Sequence, residues 1–168
     1  MSMVEPQLVS SDRMDWETPP LLWEFIEAVF GPFDLDACAT AATAKCENWL
    51  GPDHPDPARR DAFRVVPWPG RMVFCNPPYG RDISRWMNMA SFAGLQSNAS
   101  SVVLTFARTD TRWWHTYVDK ATKIIFLKGR VPFLRDGQEV APAPAPSVLL
   151  TFTPWHAGPP LVEFSEWR

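Results

Sequence analysis

An apolar run, Arg71-Met72-Val73-Phe74-Cys75, is halted by two adjacent prolines in Asn76-Pro77-Pro78-Tyr79, and this constrains the chain more than any other feature. The run has the length and continuity of a strand buried on both faces. Neither proline can donate to a ladder, so the strand must stop at Cys75 and a stiff loop must begin at Asn76. Two more runs of this kind follow, Ser101–Phe106 and Lys123–Leu127, each preceded by a stretch of helical character. In the first of these stretches Asp82 is a capping residue and Ile83, Trp86, Met87 and Ala90 share one side, with an end near Gly94. The second, Thr109 to Val118, is short and rich in aromatics: Trp113, Trp114 and Tyr117. Strand, helix, strand, helix, strand is the order of a parallel α/β sheet with right-handed crossovers.

The flanks extend this scheme. Thr18-Pro19-Pro20 predicts a helix start, with Thr18 as N-cap and Leu22, Phe25, Ile26 and Val29 as an apolar stripe that Gly31-Pro32 ends. Phe33 to Ala37 alternates large apolar and acidic residues, as a short strand that delivers Asp36 to a sheet edge. Thr40 to Asn48 reads as a further helix, and Gly51 to Pro57, with three prolines, as a loop. Arg130–Leu134 and Val148–Phe152 are expected to form a C-terminal antiparallel pair joined by Asp136–Pro146, whose Ala-Pro repeats are extended and low in entropy. The predicted organisation is a flexible arm over residues 1–14 and a single domain over 15–168, since 168 residues leave no room for a second full core. The 18 prolines, roughly twice the usual share of ~5%, argue against an all-helical fold. No apolar run approaches the ~18 to 20 residues of a membrane span and no secretion signal opens the chain, so a cytoplasmic protein without a membrane partner is expected.

The cysteines are three, Cys38, Cys46 and Cys75, which fits free thiols better than a disulfide framework. Cys38, Cys46 and His54 recur every eight residues, but zinc sites use ligand pairs two to four apart, so no metal is expected. Asp110, His115 and Asp119 at helical spacing read as a solvated face rather than a triad. Charge is divided along the chain despite a net of only -3. Met1 to Phe63 carries 4 basic against 12 acidic residues, whereas Arg64 to Arg135 carries 11 basic against Asp82, Asp110 and Asp119 alone. A one-sign block of this length is expected to face phosphates.

The loop after Cys75 has a definite chemistry. Asn76 offers an accepting oxygen and Pro77 a backbone carbonyl held by rigid neighbours. An exocyclic amine on a flat ring has its lone pair delocalised. Two acceptors taking its two hydrogens favour a pyramidal nitrogen with the pair freed to attack. Tyr79 supplies an aromatic face for the ring, the way bases turned out of a duplex are held. Ligands of open α/β sheets sit beyond the carboxyl ends of strands, where this loop is expected.

The ordered blocks Asp15-Trp16-Glu17-Thr18-Pro19, Phe33 to Ala39, Asp61-Ala62-Phe63 with Trp68, Val73 to Tyr79, Leu104 to Thr111 and Phe126 to Phe133 make the chain resemble the small phage-type N6-adenine DNA methyltransferases over about Asp15 to Phe152. The resemblance implies a Rossmann-like class I methyltransferase fold with helices on both faces and no separate recognition domain. It implies S-adenosylmethionine as methyl donor and double-stranded, adenine-containing DNA as partner, in the host cytoplasm if the gene is a phage's. Carried over residue by residue, Asn76, Pro77, Pro78 and Tyr79 would be catalytic. Trp16, Thr18, Pro19, Asp36, Ala37, Cys38, Asp61 and Asn76 would bind the donor, and Arg81, Arg85, Arg108, Arg112, Lys128 and Arg130 would contact nucleic acid. One departure stands out: Asp36-Ala37-Cys38-Ala39-Thr40 has no Gly-x-Gly turn, although Ala37 and Ala39 are small.

Other planar amines pose the same electronic problem, so an RNA base or a protein glutamine is an alternative substrate for Asn-Pro-Pro-Tyr. An inactive, methyltransferase-like nucleic-acid-binding protein is another. The basic block favours nucleic acid over protein, while the choice of DNA rests on the resemblance.

Overall fold

The alternation of strands and helices becomes a six-stranded sheet covered on both faces. The structure, a computed structural model, describes residues 16–96, 98–140 and 142–168, so the arm expected over 1–14 lies outside the described residues. In chain order the elements are α1 (Pro20–Phe30), β1 (Leu35–Asp36), β2 (Met72–Cys75), α2 (Ile83–Gln96), β3 (Ser100–Phe106), α3 (Arg112–Tyr117), β4 (Lys123–Leu127), β5 (Leu134–Arg135), β6 (Gln138–Glu139), β7 (Ser147–Phe152) and β8 (Leu161–Ser165). The sheet order is β1-β2-β3-β7-β4-β8. β7 runs antiparallel to β3 and β4, and the remaining pairings are parallel.

Side-chain alternation assigns each strand residue to one of two cores. Val73, Cys75, Val103, Val148, Leu150 and Phe152 point to one face, under Trp86, Met87 and Ala90 of α2 and Trp114 of α3. Phe74, Val102, Leu104, Phe106, Ile125 and Leu149 point to the other, under Leu22 and Ile26 of α1. This is why β2, β3 and β7 read as continuous apolar runs: with both faces covered, there is no polar side for alternation to show.

Three details differ from the sequence reading. Thr18 does not cap α1; Pro19 holds the N-cap position with no side-chain bond, and the Thr18 hydroxyl is turned inward. Thr40 to Asn48 forms turns instead of a helix. Its backbone amides have competing partners, with Thr40 donating to Thr43 Oγ1 and Lys45 to the Asp36 carboxylate. The segment returns alongside β1, where Asp36 bridges Trp49, and Gly51 lies so close to the Ala39 carbonyl that a Cβ there would sit 1.7 Å from it. Finally, the C-terminal runs do not pair with each other. Leu134–Arg135 turns back on Gln138–Glu139 through Asp136 and Gly137, both at positive φ, while 147–152 inserts between β3 and β4.

Candidate active site

The parallel strands β1, β2, β3 and β4 deliver their carboxyl ends to one rim of the sheet. Asp36 ends β1, Asn76 follows β2, Ala107 follows β3 and Lys128 follows β4. The β5–β6 hairpin joins the rim through the segment before α1, with Glu17 and Leu134 exchanging backbone hydrogen bonds at 2.9 and 3.1 Å.

Asn76 is the centre of the polar contacts there. Its side-chain amide donates to the Trp16 carbonyl at 2.5 Å and to Thr18 Oγ1 at 3.1 Å. A backbone carbonyl can only accept, so the nitrogen of Asn76 must face Trp16 and the oxygen must face away. That oxygen accepts the Tyr79 hydroxyl at 2.8 Å, and the same hydroxyl lies 3.3 Å from the Leu104 carbonyl. Among the described residues no group donates to the Pro77 carbonyl. Among the described residues one of the two expected acceptors therefore has no donor, although Pro77 is itself buried, and the other takes a neighbouring hydroxyl.

Tyr79 is set deeper than the sequence suggests. It is only 7% exposed, with its ring 3.9 Å from that of Phe106 at a tilt of 32° and Phe133 edge-on at 6.0 Å. The stacking face expected of it is covered in this arrangement. Trp16 completes the aromatic wall against Phe106 and Phe133, with Arg135 over its ring at 5.5 Å. Burial holds the Tyr79 phenol well above its ordinary pKa, so its hydroxyl is a donor at neutral pH.

Asp36 is buried, and its carboxylate accepts from the backbone amides of Cys38 at 3.2 Å and Lys45 at 3.1 Å. Burial raises its pKa to about 6, against the opposing pull of those amides and the Lys45 charge. Ala37 is tied to β2 by its amide on the Phe74 carbonyl at 2.8 Å. The Cys38 and Cys75 thiols are pushed up by burial, and Cys46 up to about 12, which leaves all three poor nucleophiles. Among the described residues no group of His, Cys, Asp and Glu is arranged to hold a metal. No helix among them is long and apolar enough to cross a membrane.

The expected site residues divide into three groups. Trp16, Thr18, Asn76 and Tyr79 are joined directly by hydrogen bonds, and Pro19 is buried beside them at the start of α1. Asp36, Ala37 and Cys38 form a neighbouring group on the adjacent strand end. Asp61 stands apart on an exposed turn, where its carboxylate accepts from the Phe63 amide and pairs with Arg64 at 3.4 Å. A groove of about 360 Å³ opens nearby, lined in part by Phe63, Arg85 and Tyr117.

All six expected nucleic-acid contacts are exposed and follow rim ends of strands: Arg81 and Arg85 after β2, Arg108 and Arg112 after β3, Lys128 and Arg130 after β4. Some have protein partners. Arg85 lies 4.0 Å over Phe63 and 3.8 Å from Asp82, Lys128 pairs with Glu166, and Arg130 reaches the Ala143 carbonyl at 3.4 Å. The basic block as a whole is not one surface, because Arg71 and Lys120 precede strands and Lys123 opens β4, all toward the opposite end of the sheet.

The sequence reading missed the wall of Phe106, Phe133 and Arg135 and the tie from Glu17 to the hairpin. Asp136-Gly137 was the available signal, a favoured type I′ hairpin pair that folds the segment back toward the rim.

The model of the DNA N-6-adenine-methyltransferase (Dam) family matches residues 5–166. The chain belongs to this family. Among its relatives in the family, the DNA N-6-adenine-methyltransferase of Haemophilus phage HP1 is 28% identical over 156 residues, covering 90% of this chain and 86% of the relative. That of Escherichia phage T1 is 26% identical over 129 residues, covering 75% of this chain and half of the relative. The match to the Dam family spans the rim and both core faces, and Asn76 sits well inside it.

Proposed function

We propose that this protein methylates the exocyclic N6 amine of adenine in double-stranded DNA, site-specifically and by direct transfer from S-adenosylmethionine, with the adenine turned out of the helix. The observation that carries this is the orientation of Asn76: its nitrogen is held by Trp16 and Thr18, which leaves Oδ1 as an acceptor on the residue before Pro77, whose carbonyl takes no donor among the described residues. An adenine amine has two hydrogens to give to those two oxygens. Oδ1 carries two lone pairs, so it can accept one such hydrogen while keeping the Tyr79 hydroxyl, for which the Leu104 carbonyl is a second partner.

The residues around Asn76 suit such a donor. Among the described residues Trp16 Nε1 is a buried N–H without a partner, and Asp36 offers a carboxylate at the end of β1. Trp16, Pro19, Asp36, Ala37 and Cys38 would hold the donor, with Thr18 turned to Asn76 and Asp61 at the margin. When bound, S-adenosylmethionine supplies an electrophilic methyl group. The protein's part is to fix the amine, exclude water with the wall of Trp16, Phe106 and Phe133, and stabilise charge on the nitrogen through two preorganised acceptors.

Arg81, Arg108, Arg112 and Arg130, with Arg85 and Lys128, are suited to hold the duplex backbone along the rim. We read residues 15–168 as one catalytic domain working in the cytoplasm, with base recognition assigned to rim loops.

Tritium transfer from labelled S-adenosylmethionine to duplex DNA, RNA and protein tests the proposal. Label in N6-methyladenine of DNA is expected. Label confined to RNA or to protein glutamine overturns the assignment, and no transfer to any of them favours a binding protein without turnover.

A further inference from the structure

We infer that Thr18 is a positioning residue for Asn76, setting which way its amide points; this rests on the reading of Asn76 as the group that takes the target amine. Resemblance places Thr18 in the donor pocket, and local sequence places it at a helix cap, yet its hydroxyl engages neither helix backbone nor solvent. Thr18 is 3% exposed and its Oγ1 lies 3.1 Å from Asn76 Nδ2, across 58 residues of sequence.

The geometry leaves the amide little choice. Asn76 Nδ2 has two hydrogens, and the Trp16 carbonyl and Thr18 Oγ1 take both. Turning the amide over would set Oδ1 against the Trp16 carbonyl, two acceptors with no hydrogen between them, and would withdraw the acceptor from the Tyr79 side. The Trp16 contact is made by backbone and persists in any side-chain variant at that position. Thr18 is therefore the side chain that holds the nitrogen, as the Tyr79 hydroxyl holds the oxygen, and the Pro19-Pro20 start of α1 keeps it in place.

The effect belongs to the transition state. An acceptor that wavers between two orientations still admits the base, but it no longer holds the amine hydrogen as the nitrogen becomes pyramidal. Loss of Thr18 should lower kcat and leave the KM values for donor and DNA near those of the parent.

Thr18→Val keeps the shape and removes the hydroxyl, while Thr18→Ser restores it. Side-chain amide NMR, with the Asn76 pair identified by its absence in Asn76→Ala, reads the contact without reference to any substrate. The expected result is that Thr18→Val moves one Asn76 amide proton upfield and speeds its exchange. In the methylation assay kcat should fall about tenfold to hundredfold with KM within about threefold, and Thr18→Ser should recover both signals.

Unchanged Asn76 resonances in Thr18→Val overturn the inference, as does a loss confined to the KM of the donor, which would make Thr18 a donor ligand. If the parent protein methylates no adenine while the NMR coupling holds, the functional reading fails and the Thr18 control of Asn76 stands. Backbone spectra of both variants that overlay the parent away from the rim exclude a general loss of fold.

Discussion

The Tyr79 hydroxyl donates to Oδ1 of Asn76 at 2.8 Å, so the residue offered as a stacking ring also occupies one lone pair of the acceptor proposed for the target amine. This separates two roles of one side chain. Tyr79→Phe keeps the ring on Phe106, removes one hydrogen bond and should lower unfolding stability by about 1 kcal/mol. Turnover should stay within about threefold, because the target amine then meets an uncovered oxygen. Tyr79→Ala removes the buried ring as well and should cost about 3 to 5 kcal/mol. Urea unfolding alongside single-turnover methylation measures both, and a Phe variant as damaged as the Ala variant would contradict the division.

Asn76→Ala tests the acceptor itself. Asn76 is half-buried and its partners are at the rim, so the fold should survive. Turnover on DNA should drop about 100-fold or more, the scale of losing one preorganised stabiliser of a transition state. Activity within a few-fold of the parent would show that Oδ1 does not take part.

The pKa of Asp36 makes a prediction about pH and stability. Its folded value of about 6 lies above the ordinary 3.8, so folding favours the protonated acid. Its contribution to stability is full below about pH 4 and is lost as pH rises through about 6. The shift corresponds to a loss on the order of 3 kcal/mol. The Asp36→Asn variant has no such titration. The difference in unfolding free energy between variant and parent should therefore move in the variant's favour by that amount between pH 4 and pH 7. A flat difference across the window, followed by urea titration, would remove the assignment.

Rim charges should show in the salt dependence of DNA binding. Each phosphate neutralised contributes a slope of about -0.9 in the logarithm of affinity against that of salt. Replacing Arg81, Arg112 and Arg130 together by alanine should reduce the magnitude of the slope by about 3. Lys120→Ala, toward the opposite end of the sheet, should leave it unchanged. Fluorescence anisotropy from low to moderate salt distinguishes the two sets, and equal effects would deny the rim its role.

The strands and the loop at Asn76 were legible because they depend on local chemistry: continuous apolar runs and prolines that cannot join a ladder. The fold class and the grouping of Asn76 with Trp16 and Thr18 at one place follow from those signals and from the order of blocks. What escaped was set by distant partners. Thr40 to Asn48 has residues compatible with a helix, but the buried Asp36 carboxylate takes the amide of Lys45, nine positions on, that the helix would need. Val148–Phe152 reads as a strand correctly, yet nothing local says that its neighbours are β3 and β4 rather than 130–134. Tyr79 could not be placed from sequence either, since its depth is decided by Phe106 and Phe133, 27 and 54 residues on.

The position of β7 governs when this molecule can assemble. It is synthesised after β4 but lies between β3 and β4, hydrogen-bonded to both. While a ribosome still shelters Ser147–Phe152 in its exit tunnel, the nascent chain carries the β1-β2-β3 half-sheet with an unsatisfied edge and a β4 whose two neighbours are both still to come. Joining them awaits the late strand, so the rim that Asn76 and Lys128 share should form in a single step once β7 has emerged rather than growing with chain length.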